Sequence, residues 1–293
     1  MSAGATEVAA LKVIDVLLAV DRRFPFAHAA SGDKVGLLIG DANAEVTGVL
    51  TCLDPGLDAL ARAQELGANL IVSHHPVRFN NAGYFNVSHV ANTYPERVLA
   101  EALRAGIAVI AAHTNVDVDE VARRYWGDKL GFEHAGPLPA LVTELMGMPT
   151  SKNVDDLAAS EPYGEMWRIG KPVTLNALAV LVAEAAGCSV KVYGGGETLL
   201  ETAVTATGSG GGRIAEAQVA GVDVIISGEF GYHAALGAVE SGMCLIELGH
   251  DVSELPLVNL IRNAISLGTD ISDDLLYLED RPALWHTVLT GSK

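Results

Sequence analysis

Four times along this chain a helix-like stretch ends in glycine and gives way to a short, unbroken apolar run. The stretches are "DALARAQELGANLIVSHH", "PERVLAEALRAGIAVIAAHTNVD", "RIAEAQVAGVDVIISGEF" and "AALGAVESGMCLIELGHDVSE". Their glycines are Gly67, Gly106, Gly221 and Gly242. Glycine just past a helix supplies the left-handed cap. Apolar runs without alternation are what parallel strands covered on both faces look like. Helices alternating with such strands make this an α/β chain.

The rhythm is also an internal repeat. "GVLTCLD" (48–54) aligns with "TAVTATG" (202–208), and "RAQELGANLIVSHH" (62–75) with "EAQVAGVDVIISGE" (216–229), both at an offset of 154 residues. Gly67 falls on Gly221, Asn69 on Asp223 and Ser73 on Ser227. The next unit recurs at an offset of 136, Gly106 falling on Gly242, so the first copy holds 18 extra residues around "RFNNAGYFNVSHVANTY". The expected fold is two related α/β lobes with mostly parallel strands. The first spans 1–132 and the second 166–293; 133–165, with weak periodicity and several Pro and Gly, reads as a linker or excursion.

Ligand sites in open α/β sheets lie beyond the carboxyl ends of the strands. After "NLIV" come Ser73, His74 and His75; after "IAVIAA" come His113, Thr114, Asn115 and Asp117. After "VDVIIS" come Glu229 and His233, and after "MCLIEL" come His250 and Glu254. Five of the nine histidines thus sit at strand ends or in the turns just after them. Imidazoles and carboxylates gathered at one sheet edge are costly to bury unless paired or bound to a cation. Imidazole suits Zn and Fe, and added carboxylates admit Mn. Adjacent His74 and His75 point in different directions on extended backbone. Two ions, one per histidine, fit that better than one, at the roughly 3.5–4 Å spacing of two-metal sites. His250 and Glu254 at i, i+4 share a helical face if the turn winds at once, and Glu254 can then bridge.

Plainer readings compete with each item. A His-His pair in a loop is often ordinary surface, His113 can hydrogen-bond a turn, and His233 can be a helix-face residue. Ser253, Glu254 and Pro256 also suit a helix start. The joint placement at equivalent strand ends is what favours the metal reading.

"ATGSGGGRIAEA" (206–217) is a Gly-rich turn, but Arg213 stands where a dinucleotide fingerprint needs glycine. An anion cradle assisted by Arg213 stays open there. No G-x-S-x-G elbow and no Walker-type loop occurs. The chain has 293 residues with 36 acidic and 19 basic side chains, a net charge of −17. That balance, with no basic run, excludes nucleic acid as the expected partner. Cys52, Cys188 and Cys244 lack C-x-x-C spacing and read as small buried hydrophobes in a reducing compartment. The start "MSAGATEVAALKVIDVLLAV" carries Glu7, Lys12 and Asp15, an amphipathic helix and not a signal peptide. No apolar run reaches the ~20 residues of a membrane span, so a cytoplasmic chain is expected.

Seven motifs in order, "GDKVGLLIGD", "SHHPVRF", "AAHTNVD", "WRIGKPVTL", "TGSGGG", "SGEFGYH" and "GHDVSE", resemble those of the NGG1-interacting-factor-three-like family. Its bacterial members are often labelled GTP cyclohydrolase I type 2 homologues. The resemblance implies a two-lobed α/β protein with a dinuclear metal centre, commonly a toroidal homohexamer. By motif position His74, His75, Asp117, His250 and Glu254 would be the metal ligands. His113, Glu229 and His233 would line the same cleft as candidates to move protons. Gly32-Asp33-Lys34 departs from the family's Trp-Asp-Asn, keeping only Asp33, and the segment after Asp117 also departs from it. The expected function is a metal-dependent hydrolase of a nucleotide-like or phosphoester substrate. The alternative is a metal-binding assembly protein that acts through protein partners.

Overall fold

A computed structural model describes residues 10–77, 93–139 and 163–279. The strands are β1 (Gly36–Ile39), β2 (Val49–Cys52), β3 (Leu70–Ser73), β4 (Ala108–Ala111), β5 (Glu133–Pro137) and β6 (Glu165–Thr174). They continue as β7 (Lys191–Tyr193), β8 (Leu199–Thr205), β9 (Val224–Ser227), β10 (Cys244–Glu247) and β11 (Leu276–Leu278). The helices are α1 (Val13–Arg23), α2 (Leu57–Leu66), α3 (Tyr94–Ala105), α4 (Thr114–Asp117) and α5 (Glu120–Lys129). After them come α6 (Leu175–Ala186), α7 (Ile214–Val219), α8 (Tyr232–Glu240) and α9 (His250–Gly268).

Two sheets form, in the orders β1-β4-β3-β2-β11 and β5-β6-β8-β9-β10-β7. Four strands of each match. β2, β3 and β4 run parallel with β1 antiparallel at the edge; β8, β9 and β10 run parallel with β7 antiparallel at the edge. The registers agree with the repeat. Val49 pairs with Leu70 and Leu70 with Ala108, while Ala203 pairs with Val224 and Val224 with Cys244. Even a polar anchor recurs: Thr47 N donates to Asn69 Oδ1 at 2.9 Å, and Glu201 N to Asp223 Oδ2 at 2.9 Å. The two α/β lobes are therefore related, as the sequence predicts.

Both sheets are covered on both faces. Val49, Leu70, Val72 and Ile110 pack with α1 and α9, while Leu50, Ile71 and Val109 pack with α2 and α3. In the second sheet Ile226 and Ile246 pack with Trp126 of α5 and with α6, while Ile225 and Leu245 pack with α7 and α8. Strict alternation along unbroken apolar runs is the consequence of two-sided burial. Gly67 and Gly106 close α2 and α3 at φ +69° and +66°, the expected left-handed caps.

Two helices cross between the sheets. α5, which follows β4 of the first sheet, buries Trp126 in the second core, where Gly127 leaves room for the Trp167 ring. α9, which follows β10 of the second sheet, carries Leu257, Ile261 and Ile265 into the first core. Trp126 Nε1 donates to Ser253 O at 2.9 Å and ties the two helices together. The first turn of α9 is thereby fixed at the junction of the lobes.

The segment expected as an excursion contributes β5, paired antiparallel with β6, and its residues 140–162 lie outside the described residues. So do 78–92 of the first lobe's extra residues, and residues 1–9 of the expected first helix. β11 returns to the first sheet beside β2. Cys52 and Cys244 are buried in the cores, whereas Cys188 follows α6 and is half-buried. Among the described residues no helix is long and apolar enough to cross a membrane.

Candidate metal centre

His74 follows β3 directly and is fully buried. Its Nδ1 lies 3.0 Å from Ala112 O, beyond the end of β4. Its Nε2 has no hydrogen-bond partner among the described residues and faces Asp117 Oδ1 at 3.7 Å and Glu254 Oε1 at 3.9 Å. A buried imidazole nitrogen left unpaired beside two carboxylates is costly in the bare protein. A cation among these three groups removes that cost, so the residues fit a metal.

His75 turns the other way. Its Nδ1 meets Asp54 Oδ1 at 2.8 Å and its Nε2 meets Glu254 Oε2 at 2.8 Å. α9 winds immediately from His250, so His250 Nε2 comes to 3.1 Å from Glu254 Oε2. Pro256 consequently lies inside this helix and does not mark its start. His250 Nδ1 faces Glu229 Oε1 at 3.1 Å. His113 Nδ1 is held at 2.9 Å from Asp33 Oδ2, and the same oxygen accepts the Thr114 hydroxyl at 2.6 Å. The rings of His74 and His113 are 5.2 Å apart, and those of His75 and His250 are 5.4 Å apart.

Among the described residues three groups of donor atoms result: His74, Asp117 and Glu254; His75, His250 and Glu254; and His74, His75 and His113. Glu254 belongs to two of them, one oxygen toward each. The five residues expected as metal ligands are thus brought together, and His113 joins them. Glu229 touches His250 from the outer side. His233 is exposed on α8, its ring 5.3 Å from that of Tyr232.

The electrostatics carry the strain of an anionic cluster. Burial, with the charge of Glu254, pushes Asp117 up to about 7, although the Thr207 hydroxyl donates to it at 3.0 Å. Burial also disfavours charge on Glu254, but hydrogen bonds from His250 and His75 outweigh it and hold the carboxyl well below its ordinary range. Burial drags His74 down to about 3 against the attraction of Glu254. His75 is raised to about 10, because its bonds to Asp54 and Glu254 outweigh desolvation. His250 is raised to about 9, chiefly by its bond to Glu254.

The Gly-rich turn has a steric purpose here. Gly208 has φ +56°, and a Cβ there would lie 2.3 Å from Glu254 Oε1. Its N–H donates to Ser253 Oγ at 2.9 Å, and Gly210 N–H donates to Glu229 O at 3.0 Å. Arg213 pairs with Glu216 at 2.9 Å. These amides and this guanidinium are engaged within the chain, so the turn gives clearance to Glu254 where an anion cradle was open from the sequence.

A cavity of about 610 Å³ opens onto the cluster, lined by His75, His113, Asp117, His250 and Glu254, with Asp54, Tyr94 and Tyr163 around them. Asp54, Thr207 and Tyr163 are additions to the residues read from sequence. Asp54 follows β2 and Thr207 lies just beyond β8, so the strand-end rule reaches both. Tyr163, whose hydroxyl donates to Thr207 O at 2.7 Å, sits in the aperiodic stretch and gave no signal.

The model of one family, Duf34/NIF3 (NGG1p interacting factor 3), matches residues 11–273. A "GTP cyclohydrolase 1 type 2 homolog" of Streptomyces coelicolor is 28% identical over 253 residues, covering 85% of this chain and 84% of that protein. A Staphylococcus aureus protein of the same description is 43% identical over 109 residues, 37% of this chain and 28% of that one. Among solved structures, a Staphylococcus aureus hypothetical protein superposes with a TM-score of 0.77 at 25% identity, covering 95% of this chain and 100% of that chain. The motifs, the paired lobes and the match along the chain agree: this chain belongs to the Duf34/NIF3 family.

Proposed function

We propose that this protein holds two divalent ions, Zn, Fe or Mn, and hydrolyses a nucleotide-like or phosphoester substrate. The observation that carries the reading is Glu254, buried and shared between two donor groups beneath an open cavity. A structural metal site is closed by protein ligands, whereas a catalytic one keeps positions open. Three donors in each group, with Glu254 counted in both, leave such positions. This favours catalysis over the alternative of an assembly protein acting through partners. The name "GTP cyclohydrolase 1 type 2 homolog" on the Streptomyces relative is consistent with it.

Divalent ions bound there would supply Lewis acidity and lower the pKa of a bound water toward neutrality. The chain's own part is arrangement. His74, Asp117 and Glu254 would hold one ion, and His75, His250 and Glu254 the other. His113 lines the cavity with Nδ1 on Asp33, which leaves its Nε2 to take or give a proton at the substrate. Glu229 reaches the site through His250, and His233 is assigned no part in this scheme. A homohexamer and a cytoplasmic location belong to the same proposal.

The test is elemental analysis of protein purified without added metal or chelator, followed by a screen of nucleotides and phosphoesters. Near two transition-metal ions per chain, with metal-dependent turnover in the screen, supports the reading. Two ions with no turnover gives the alternative; no ion, and no uptake of Zn, Mn or Fe, overturns both.

A further inference from the structure

The imidazoles of the cluster are held from behind by different kinds of acceptor. Behind His74 stands a neutral one, the carbonyl of Ala112 at 3.0 Å. Behind His75 stands the Asp54 carboxylate at 2.8 Å, and behind His250 the Glu229 carboxylate at 3.1 Å. The group of His74, Asp117 and Glu254 is wholly buried, whereas His75 and His250 are partly exposed and line the cavity. The donor groups on either side of Glu254 therefore differ in both burial and backing charge.

We infer that Asp54 and Glu229 are positioning residues for the outer of the two cation positions, the one made by His75, His250 and Glu254. The inference rests on the dinuclear reading of the site. A carboxylate behind Nδ1 keeps the proton on that nitrogen and directs the Nε2 lone pair to the ion. It also raises the basicity of the ring, and such outer partners change metal affinity by about 10–100-fold. Both histidines of the outer position have this support. The single histidine of the inner position has a backbone carbonyl, which no substitution of a side chain removes and which adds no net charge. The two ions are consequently set by different means. The inner depends on burial and on the two carboxylates that touch it; the outer depends on two carboxylates that touch no ion.

The local structure supports this assignment. Glu229 is half-exposed, so it is not kept there by packing. It follows Gly228, where a Cβ would lie 2.5 Å from both Gly208 O and Ser253 Oγ. The backbone is thus brought against the first turn of α9, and that places Glu229 beside His250. Asp54 lies two residues beyond β2, next to the strand that delivers His75. His75 N–H donates to Leu53 O at 2.8 Å, which fixes the two strand ends against each other.

The experiment is a titration of metal-free full-length chain with Co2+ alone, following the visible absorption of bound cobalt and competing with a chelator to rank the two affinities. The variants are Glu229→Gln and Asp54→Asn, each checked by its thermal melt. The expected result is that each variant weakens one Co2+ by about 10–100-fold and shifts its absorption band, while the other Co2+ keeps its affinity within about twofold. Two Co2+ bound by the wild type, with both weakened alike or neither weakened in the variants, overturns the assignment and leaves the dinuclear reading standing. No second Co2+ in the wild type overturns that reading itself.

Discussion

Glu254 Oε2 lies 2.8 Å from His75 Nε2, although the two residues are 179 positions apart and belong to different lobes. His75 leaves the end of β3 in the first sheet, and Glu254 rides the first turns of α9 beyond the second. The other oxygen of the same carboxylate faces His74. Glu254→Ala should therefore reduce bound metal toward zero for both positions, read by elemental analysis per chain. His75→Ala should remove mainly one ion. Two ions retained in Glu254→Ala protein would end the bridging assignment.

Close approach to Glu254 should make Gly208 far less replaceable than Gly212 of the same turn. A Cβ at Gly208 would meet Glu254 Oε1 at 2.3 Å, and its φ of +56° is unfavourable for any L side chain. Strain of that kind costs about 1–3 kcal/mol before the steric clash is added. Gly212, in the same turn, has open space around its Cβ position. Gly208→Ala should lower both the melting temperature and the metal content, whereas Gly212→Ala should leave metal content unchanged. Equal tolerance of the two would show that the turn does not shape the site.

Asp117 gives a pH-dependent prediction with a definite sign. In the metal-free protein its pKa is raised from 3.8 to about 7, by burial and by Glu254. The folded state then keeps a proton that the unfolded chain has already lost, so this group makes stability fall as pH rises from about 4 to 7. Above that range the penalty is complete, and it is absent below about pH 4. Asp117→Asn should raise the melting temperature of metal-free protein at pH 8 and not at pH 4. The displacement of its pKa to about 7 caps the gain at roughly 4 kcal/mol. The same change should weaken metal binding. A metal-free variant less stable than wild type at pH 8 would contradict this account of the buried carboxylate.

The fold was legible because two signals repeat. Unbroken apolar runs gave the covered strands, and the offset of 154 residues gave the related lobes, whose registers follow it residue by residue. The site was legible where chemistry sits at strand ends, as with His74, His75, His113 and His250. What the repeat concealed is the division of labour. At the same offset His74 corresponds to Gly228 and Asp54 to Gly208. One lobe supplies donors where the other supplies clearance, and clearance leaves no polar residue to notice. His233 shows the opposite case, since it follows a strand as the others do but α8 starts at Tyr232 and leaves the ring exposed. The exchange of α5 and α9 between the cores was hidden as well, because an apolar helix face does not say which sheet it covers.

Metal uptake should release protons. In the metal-free protein His75 titrates near 10 and His250 near 9, both raised by hydrogen bonds to carboxylates. At pH 7 each ring therefore carries a proton on the nitrogen that faces Glu254. An ion can bind that nitrogen only after the proton leaves, and Asp117, near 7, gives up part of another. Between about pH 6 and 9 the apparent affinity should then climb with pH, by about tenfold per unit for each proton displaced. Stability from the two raised histidines has the opposite trend: it is full below about pH 6.5 and is lost as pH rises through 9 and 10. Calorimetric titration with Zn2+ in two buffers of different ionisation enthalpy counts the protons. Two to three per chain loaded at pH 7 is the expected number, two from the rings and a fraction from Asp117. Identical heats in the two buffers would mean that the rings are already unprotonated, and that the carboxylates hold them by geometry alone.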